Sequence, residues 1–403
     1  MKAVIKPSRA QGTVCAPASK SIAHRMLICA ALSDGVSHIS GITPCDDVLA
    51  TVGCLSALGA KIKADGDSYT VRGCNMRKSA PTDLLYARES GSTLRFIIPI
   101  AALSGAKCVI SAADSLLKRP LSVYDNIFSE KGIMFSKNDR LIHVDGPLPS
   151  GEYTIMGNVS SQFITGLLLA LPLTDSDSVI KITPPFESRS YVLLTLDAMR
   201  QFGVNAYFED ELTLRIPGGQ KYIPTDTSVE GDYSGAAFID ALSALGHNIA
   251  VSGLKESSAQ GDRVYRSLFP LLSQGTPDID ISDCPDLGPV LMALAAALNG
   301  ATITGTARLK IKESDRASAM ASELGKLGAD ITVLENSVII KKTPLHPPGE
   351  PIYGHNDHRV VMSLAVLLTL LGGEIDGAEA VNKSYPAFFD DIKKLGIEVA
   401  LHD

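Results

Sequence analysis

The sequence predicts an α/β protein of two domains, each built from three repeats of a helix followed by a strand, a tight turn and a second strand. Two observations lead there. The first is length: 403 residues suffice for two domains with full cores. The second is a series of glycines, Gly59, Gly132, Gly203, Gly328 and Gly396, each closing an amphipathic stretch and opening a β-rich one. They recur at roughly 70 residues, with one gap near twice that, so six units of about 67 residues fit the chain.

Each repeat can be read in order. In the first, Leu55-Ser56-Ala57-Leu58-Gly59 ends a helix, Ala60-Lys61-Ile62 begins a strand, Asp65-Gly66-Asp67 turns, and Tyr69-Thr70-Val71 returns. The second runs from Phe128 through Gly132 to Ile133-Met134-Phe135, turns at Lys137-Asn138-Asp139 and returns through Leu141-Ile142-His143-Val144. Met199-Arg200-Gln201-Phe202-Gly203-Val204 starts a third, which returns at Leu212-Thr213-Leu214. A degenerate copy is expected around residues 268–275, within the long gap. Leu324-Gly325-Lys326-Leu327-Gly328 with Ser337-Val338-Ile339-Ile340 gives another, and Ile392-Lys393-Lys394-Leu395-Gly396-Ile397 closes the chain. A domain boundary is expected near Lys221-Tyr222-Ile223-Pro224-Thr225, after Pro217-Gly218-Gly219. The period excludes a single Rossmann core, and neither GxGxxG nor GxxxxGK[ST] is present.

Composition excludes other classes. Hydrophobic residues make up 45 % and charged residues 20 %, ordinary for a globular chain. A net charge of −7 supplies no global field toward nucleic acid or membrane, so an anion site must be a local gathering of cations. Cysteines 15, 29, 45, 54, 74, 108 and 284 have no CxxC spacing and an odd total, which suits reduced thiols in a cytosol. The longest apolar runs, residues 163–173 and 364–371, fall short of the ~18 needed to span a membrane, and Met1-Lys2-Ala3-Val4-Ile5 reads as a strand rather than a signal. A cytoplasmic protein is expected.

Several stretches could carry chemistry. Pro17-Ala18-Ser19-Lys20-Ser21-Ile22-Ala23-His24-Arg25 opens an apolar helix, gathering Lys20, Ser21 and Arg25 at a helix N-terminus that already favours an anion. A solvated helix start is the plain alternative. Glu89-Ser90-Gly91-Ser92-Thr93-Leu94-Arg95 repeats the pattern, Gly91 allowing close approach of a ligand to the backbone. Lys118-Arg119-Pro120 and Val159-Ser160-Ser161-Gln162 also precede helices, so four helix starts in one half carry hydroxyls or cations suited to phosphates and carboxylates. In the other half, Lys312 and Arg316 of Lys310-Ile311-Lys312-Glu313-Ser314-Asp315-Arg316 are expected to share a helix face. A salt-bridged surface helix is the plain reading of that string. His355-Asn356-Asp357-His358-Arg359 precedes another apolar helix; no third ligand follows its histidines at a metal spacing, so no metal is expected. Lys383-Ser384-Tyr385-Pro386 precedes the last helix. Asp286 in Cys284-Pro285-Asp286-Leu287-Gly288-Pro289 suits either a helix start or, among cations, a general base.

Together, Pro17 to Arg25, Glu89 to Arg95, Arg119-Pro120, Ser160-Ser161-Gln162, Glu230-Gly231-Asp232, Lys312 to Arg316, Asn356 to Arg359 and Lys383 to Pro386 resemble the 5-enolpyruvylshikimate-3-phosphate (EPSP) synthase family, in that family's order, from about residue 4 to the end. The resemblance implies two domains of three βαβαββ units, helices inside and sheets outside. It places residues 19–221 in one domain and 1–18 with 222–403 in the other, so the chain crosses twice. It implies transfer of the enolpyruvyl group of phosphoenolpyruvate to the 5-hydroxyl of shikimate 3-phosphate, with release of phosphate. By this likeness Lys20, Ser21, Arg25, Ser160, Ser161, Gln162, Ser188, Tyr191, Asp286 and Lys312 would bind shikimate 3-phosphate. Lys20, Gly91, Arg95, Arg119, Gln162, Arg316, Arg359 and Lys383 would bind phosphoenolpyruvate. Asp286 would accept the hydroxyl proton, and Glu313 would protonate the methylene carbon, with Lys20 and Lys383 sharing proton transfer. Closure of two domains would expel water. No cofactor is implied, and small substrates, no nucleic acid, no membrane and a monomer are expected.

Glu89 stands where many members carry Asn, Phe96 where many carry Pro, and Arg308 where Asn is frequent near the substrate. Gly91 is kept, so inhibition by glyphosate competitive with phosphoenolpyruvate is expected. The sister family, UDP-N-acetylglucosamine enolpyruvyl transferase, typically has Lys-Asn in place of Lys20-Ser21 and a Cys near residue 115, where this chain has Ser111-Ala112-Ala113-Asp114-Ser115. A non-catalytic anion-binding repeat scaffold is the remaining alternative.

Overall fold

Hydrophobic patterning sorts the helices into two kinds. In Lys20–Leu32 every residue from Ile22 onward is buried, and Ser161–Ala170 is buried except at Gln162. Helices apolar all round belong inside. Arg189–Gln201, by contrast, exposes one face. Strands such as Glu152–Met156 bury alternate residues, Tyr153 and Ile155, and expose Glu152, Thr154 and Met156, as a sheet with one solvated face requires. The computed structural model, which describes residues 1–81 and 83–403, accordingly places helices inside and sheets outside.

The described residues form two compact units, Ala18–Glu230 and Met1–Pro17 with Gly231–Asp403. The expected boundary at 221/222 gives way to 230/231 for two physical reasons. Tyr222 is buried in the first unit, its hydroxyl donating to the Leu169 carbonyl at 2.9 Å, and Thr227–Ser228 pairs in parallel with Val36–Ser40.

That pairing completes the first repeat. Among the described residues, five repeats of strand, helix, strand, helix and hairpin each form a four-stranded sheet in which strands one and two are parallel and the hairpin adds antiparallel on the far side. Leu85–Tyr86, Lys107–Ser111, Leu141–Asp145 and Met134–Lys137 make one such sheet, and Glu152–Met156, Ser178–Thr183, Thr213–Ile216 and Tyr207–Phe208 another. In the second unit, Asp278–Asp280, Gly300–Thr304, Ser337–Lys341 and Asp330–Val333 repeat the order. Lys2–Ile5 lies between Gly373–Asp376 and Val399–His402, so the chain's beginning completes a sheet made near its end. The repeat that includes residues 268–275, where a degenerate copy is expected, departs from this order. Gln11–Cys15 and Asn248–Ser252 form a two-stranded sheet, and after Tyr265–Gln274 the chain passes directly into Asp278–Asp280 without a hairpin.

The repeat glycines sit just past their helices at φ 111 (Gly59), 70 (Gly132), 74 (Gly203), 91 (Gly328) and 98° (Gly396), where a side chain would be strained. Gly166 serves a different purpose. A Cβ there would lie 2.4 Å from both the Arg95 carbonyl oxygen and the Tyr124 hydroxyl, so its absence lets Gly91–Ala101 and Ser161–Ala170 pack backbone to side chain.

Candidate functional site

In Ala18–Glu230 the polar residues collect at helix beginnings. Ser90 caps Gly91–Ala101 by accepting from the Thr93 N–H at 3.2 Å, and Ser160 caps Ser161–Ala170 by accepting from the Gln162 N–H at 3.3 Å. Ser19 occupies the N-cap position of Lys20–Leu32 without a side-chain cap bond. Ser188 starts Arg189–Gln201 in the left-handed region, at φ 56°. The Arg95 Nη1 donates to Gln162 Oε1 at 2.7 Å, and Gln162 Nε2 donates to Ser92 Oγ at 3.0 Å. A Cβ on Gly91 would lie 2.9 Å from Arg95 Nη1 and 3.3 Å from Arg119 Nη1. Gly91 thus keeps open a place beside two guanidinium groups at a helix N-terminus, a setting suited to an anion. Arg119 itself lies between two short helices, Asp114–Leu117 and Ser122–Glu130, the second of which begins two residues later than the start expected at Pro120.

Lys20 pairs with Asp47 at 2.8 Å, both largely buried. Thr93 Oγ1 reaches the Asp47 carbonyl at 3.3 Å and Thr51 Oγ1 at 2.7 Å, and Thr51 in turn meets His24 Nδ1 at 2.7 Å. Burial, reinforced by Lys20 and Arg25, holds His24 neutral, well below the usual histidine range. Arg25 is 3 % exposed. It donates to the Ser21 carbonyl (2.6 Å), the Tyr191 carbonyl (3.0 Å) and Thr195 Oγ1 (2.9 Å), which ties Lys20–Leu32 to Arg189–Gln201. Burial pushes Arg25 down to about 10, so it stays cationic at neutral pH. Phe96 lies beneath its guanidinium at 5.2 Å, which gives this apolar residue a place in the site. Of the residues singled out in this half, Gly91, Arg95, Arg119 and Gln162 are brought together, and Lys20 is linked to the same helix start through Asp47 and Thr93. Ser21, Arg25 and Tyr191 join a second group through Thr165 and Thr195, while Ser160, Ser161 and Ser188 stand at helix starts.

In the second unit the organising group is Asp286, in the 3-10 turn Pro285–Leu287 ahead of the buried helix Gly288–Ala297. It receives Arg316 Nη1 at 2.9 Å, Arg359 Nη2 at 3.0 Å and Lys312 Nζ at 3.3 Å. Arg316, 2 % exposed, also donates to Asp357 at 2.8 Å and lies 3.8 Å from Glu313, whose other oxygen meets His358 Nδ1 at 2.9 Å. Asp357 caps His358–Leu371 by accepting from the Arg359 N–H at 3.0 Å. Lys383 Nζ donates to the Asn356 carbonyl at 2.7 Å. Lys312 and Arg316 do not share a helix face as expected: Lys312 ends the 3-10 helix Ala307–Ile311, and Arg316 begins Arg316–Gly325. They meet at Asp286 instead. Burial, opposed by Asp286 and reinforced by Arg308, Arg316 and Arg359, pushes the Lys312 ammonium down to about 8.

The fold also supplies partners that spacing along the chain concealed. Glu313, Asp357 and His358 bring one ligand atom each within 4.8 Å of one another, two carboxylates with one histidine rather than the pair of histidines in the local string. The Arg316 guanidinium bridging the two carboxylates already supplies positive charge there, so the donor set is poorly matched to an ion. Asp47 stands in the first turn of Asp46–Ala57, where an acid suits any helix start and carries no local signal of a site. Asp262 gave no signal at all, yet it is 3 % exposed, accepts the Ser234 hydroxyl, and is pushed up to about 7 by burial and by Asp286. All seven cysteines are free. No helix among the described residues is long and apolar enough to cross a membrane.

A family model described as EPSP synthase (3-phosphoshikimate 1-carboxyvinyltransferase) matches residues 4–392. A 3-phosphoshikimate 1-carboxyvinyltransferase from Clostridium perfringens is 41 % identical over 417 aligned residues, covering 98 % of this chain and 98 % of its own. One from Clostridium beijerinckii is 41 % identical, covering 97 % of each. Among solved structures, an EPSP synthase from Acinetobacter baumannii superposes with a TM-score of 0.79 at 24 % identity, over 99 % of this chain and 100 % of that one. The enolpyruvyl transferase NikO from Streptomyces tendae reaches 0.76 at 15 % identity, over 99 % and 98 %. At these identities the structural matches speak for the fold.

Proposed function

The chain belongs to the EPSP synthase family, and from that premise we propose that its two groups of side chains serve one reaction. The enolpyruvyl group of phosphoenolpyruvate passes to the 5-hydroxyl of shikimate 3-phosphate, and phosphate is released. The observation that carries this most is the environment of Asp286. A carboxylate held by Lys312, Arg316 and Arg359 stands beside a second carboxyl, Glu313, bonded to His358 and neighbouring the same Arg316. Two carboxyl groups in different surroundings suit a base and an acid.

In this reading Asp286 takes the proton of the 5-hydroxyl as its oxygen bonds to C2 of phosphoenolpyruvate. Glu313 delivers a proton to C3, with Lys20 and Lys383 sharing proton transfer. The tetrahedral adduct then loses a C3 proton and its phosphate, restoring the enol ether. Lys20, Gly91, Arg95, Arg119, Gln162, Arg316, Arg359 and Lys383 bind phosphoenolpyruvate; Lys20, Ser21, Arg25, Ser160, Ser161, Gln162, Ser188, Tyr191, Asp286 and Lys312 bind shikimate 3-phosphate. Two phosphates and a carboxylate repel one another, and several cations offset that repulsion. Gly91 keeps the room that phosphoenolpyruvate and its competitor glyphosate would share. We read the protein as a cytoplasmic monomer acting on small molecules, without cofactor, metal, nucleic acid or membrane.

Phosphate release from phosphoenolpyruvate with shikimate 3-phosphate, run beside UDP-N-acetylglucosamine, tests the reading. Turnover is expected with the shikimate compound alone, and Asp286→Asn should lower kcat by about 100-fold or more, the usual scale for a general base. Turnover with the sugar nucleotide alone would assign the chain to the sister reaction. Binding without turnover of either would leave a scaffold.

A further inference from the structure

The segment that delivers Asp357, His358 and Arg359 contains two consecutive non-glycine residues in the left-handed region, His355 at φ 52° and Asn356 at φ 51°. Single residues visit that region, but a pair in succession persists only where surroundings hold it. Here the helix Arg316–Gly325 grips the segment at two points. At its start, Arg316 donates to Asp357 through Nε at 2.8 Å and Nη2 at 3.3 Å. Seven residues on, two turns along the same face, Glu323 accepts the Tyr353 N–H at 2.9 Å and meets His355 Nε2 at 2.8 Å. Glu323 is 2 % exposed and takes a further contact from Lys326 at 3.0 Å. Between the two grips lies Asn356, whose carbonyl receives Lys383 Nζ.

We propose that Glu323 is a positioning residue: with Arg316 it splints the His355-Asn356 turn and so sets the places of Arg359 and Lys383. The inference rests on the reading that those two residues bind phosphoenolpyruvate. A carboxylate serving only its own helix would have no use for the backbone N–H of Tyr353, thirty residues away and on another element. Burial raises the Glu323 carboxyl, yet the bonds from Tyr353, His355 and Lys326 outweigh it and hold the group below the usual range, as a fully engaged anion requires.

The test is steady-state kinetics with both substrates on Glu323→Ala, Glu323→Gln and His355→Phe, together with thermal unfolding and amide hydrogen exchange across residues 353–359. Glu323→Ala and His355→Phe should raise KM for phosphoenolpyruvate about tenfold, the scale of a small misplacement in a binding site, and leave KM for shikimate 3-phosphate nearly unchanged. Glu323→Gln, whose amide oxygen still accepts the Tyr353 N–H, should recover most of the loss. Exchange at residues 355–359 should quicken in Glu323→Ala and His355→Phe. A lowered Tm with unchanged KM and unchanged exchange would reduce Glu323 to a stabilising residue and overturn the proposal. Should Glu323→Ala fail to fold, His355→Phe carries the same comparison. If the wild type itself does not turn over, the reading of the reaction fails, and the exchange measurement still decides the splint.

Discussion

Lys312 shows how a residue can be named from the sequence and still be understood only in its surroundings. Its neighbours and its burial set when it carries charge. With the ammonium pushed down to about 8, Lys312 is cationic below that pH and neutral above it. The contribution it makes to an anionic substrate is therefore present below about pH 8 and lost as pH rises through it. We expect kcat/KM for shikimate 3-phosphate, which reports the free enzyme, to fall through that range. Lys312→Arg, which cannot lose its proton, should remove this inflection. A profile flat from pH 7 to 9 in the wild type would contradict the assignment.

At the scale of elements, the informative positions are those where two helices touch. Gly91–Ala101 and Ser161–Ala170 bring Arg95 and Gln162 within 2.7 Å because Gly166 leaves the room for it. Ala at 166 would place a methyl against a backbone carbonyl and a buried tyrosine hydroxyl, neither at the end of a flexible chain. Overpacking of this kind costs about 1–3 kcal/mol, so Gly166→Ala should lower Tm measurably and loosen the Arg95–Gln162 contact. Gly275→Ala, with nothing within 4 Å, is the matched control and should stay near wild type.

For the whole molecule, connectivity makes the clearest statement. The first strand, Lys2–Ile5, pairs antiparallel with Val399–His402, Lys2 standing opposite His402, so the two ends of the chain are neighbours. Joining them with a short linker and opening the chain between Pro17 and Ala18 would make each compact unit contiguous in sequence. Such a permutant should fold with near-native far-UV circular dichroism, since close surface termini tolerate rearrangement. A chain simply begun at Ala18 should lose the second unit, because Gly373–Asp376 and Val399–His402 would no longer share a strand and Asn248–Ser252 would be unpaired. Calorimetry of the two constructions checks both outcomes.

The sequence by itself determined the α/β class, the repeat and the residue types of the site, because helix caps, turns and periodicity are local and recur. The helix starts at Lys20, Gly91 and Ser161 were legible for the same reason: a break, a hydroxyl and an apolar run lie next to one another in the chain. Only the tertiary structure decided that Thr227–Ser228 finishes a sheet begun by Val36–Ser40, that one repeat lacks its hairpin, and that Lys312 and Arg316 meet at Asp286 rather than along a helix. It also decided the partners Asp47, Asp262 and Glu323. Pairings of charges and strands depend on which distant segments share a place, and no local pattern encodes that. A buried ion must find its partner wherever the packing of apolar helices happens to carry it.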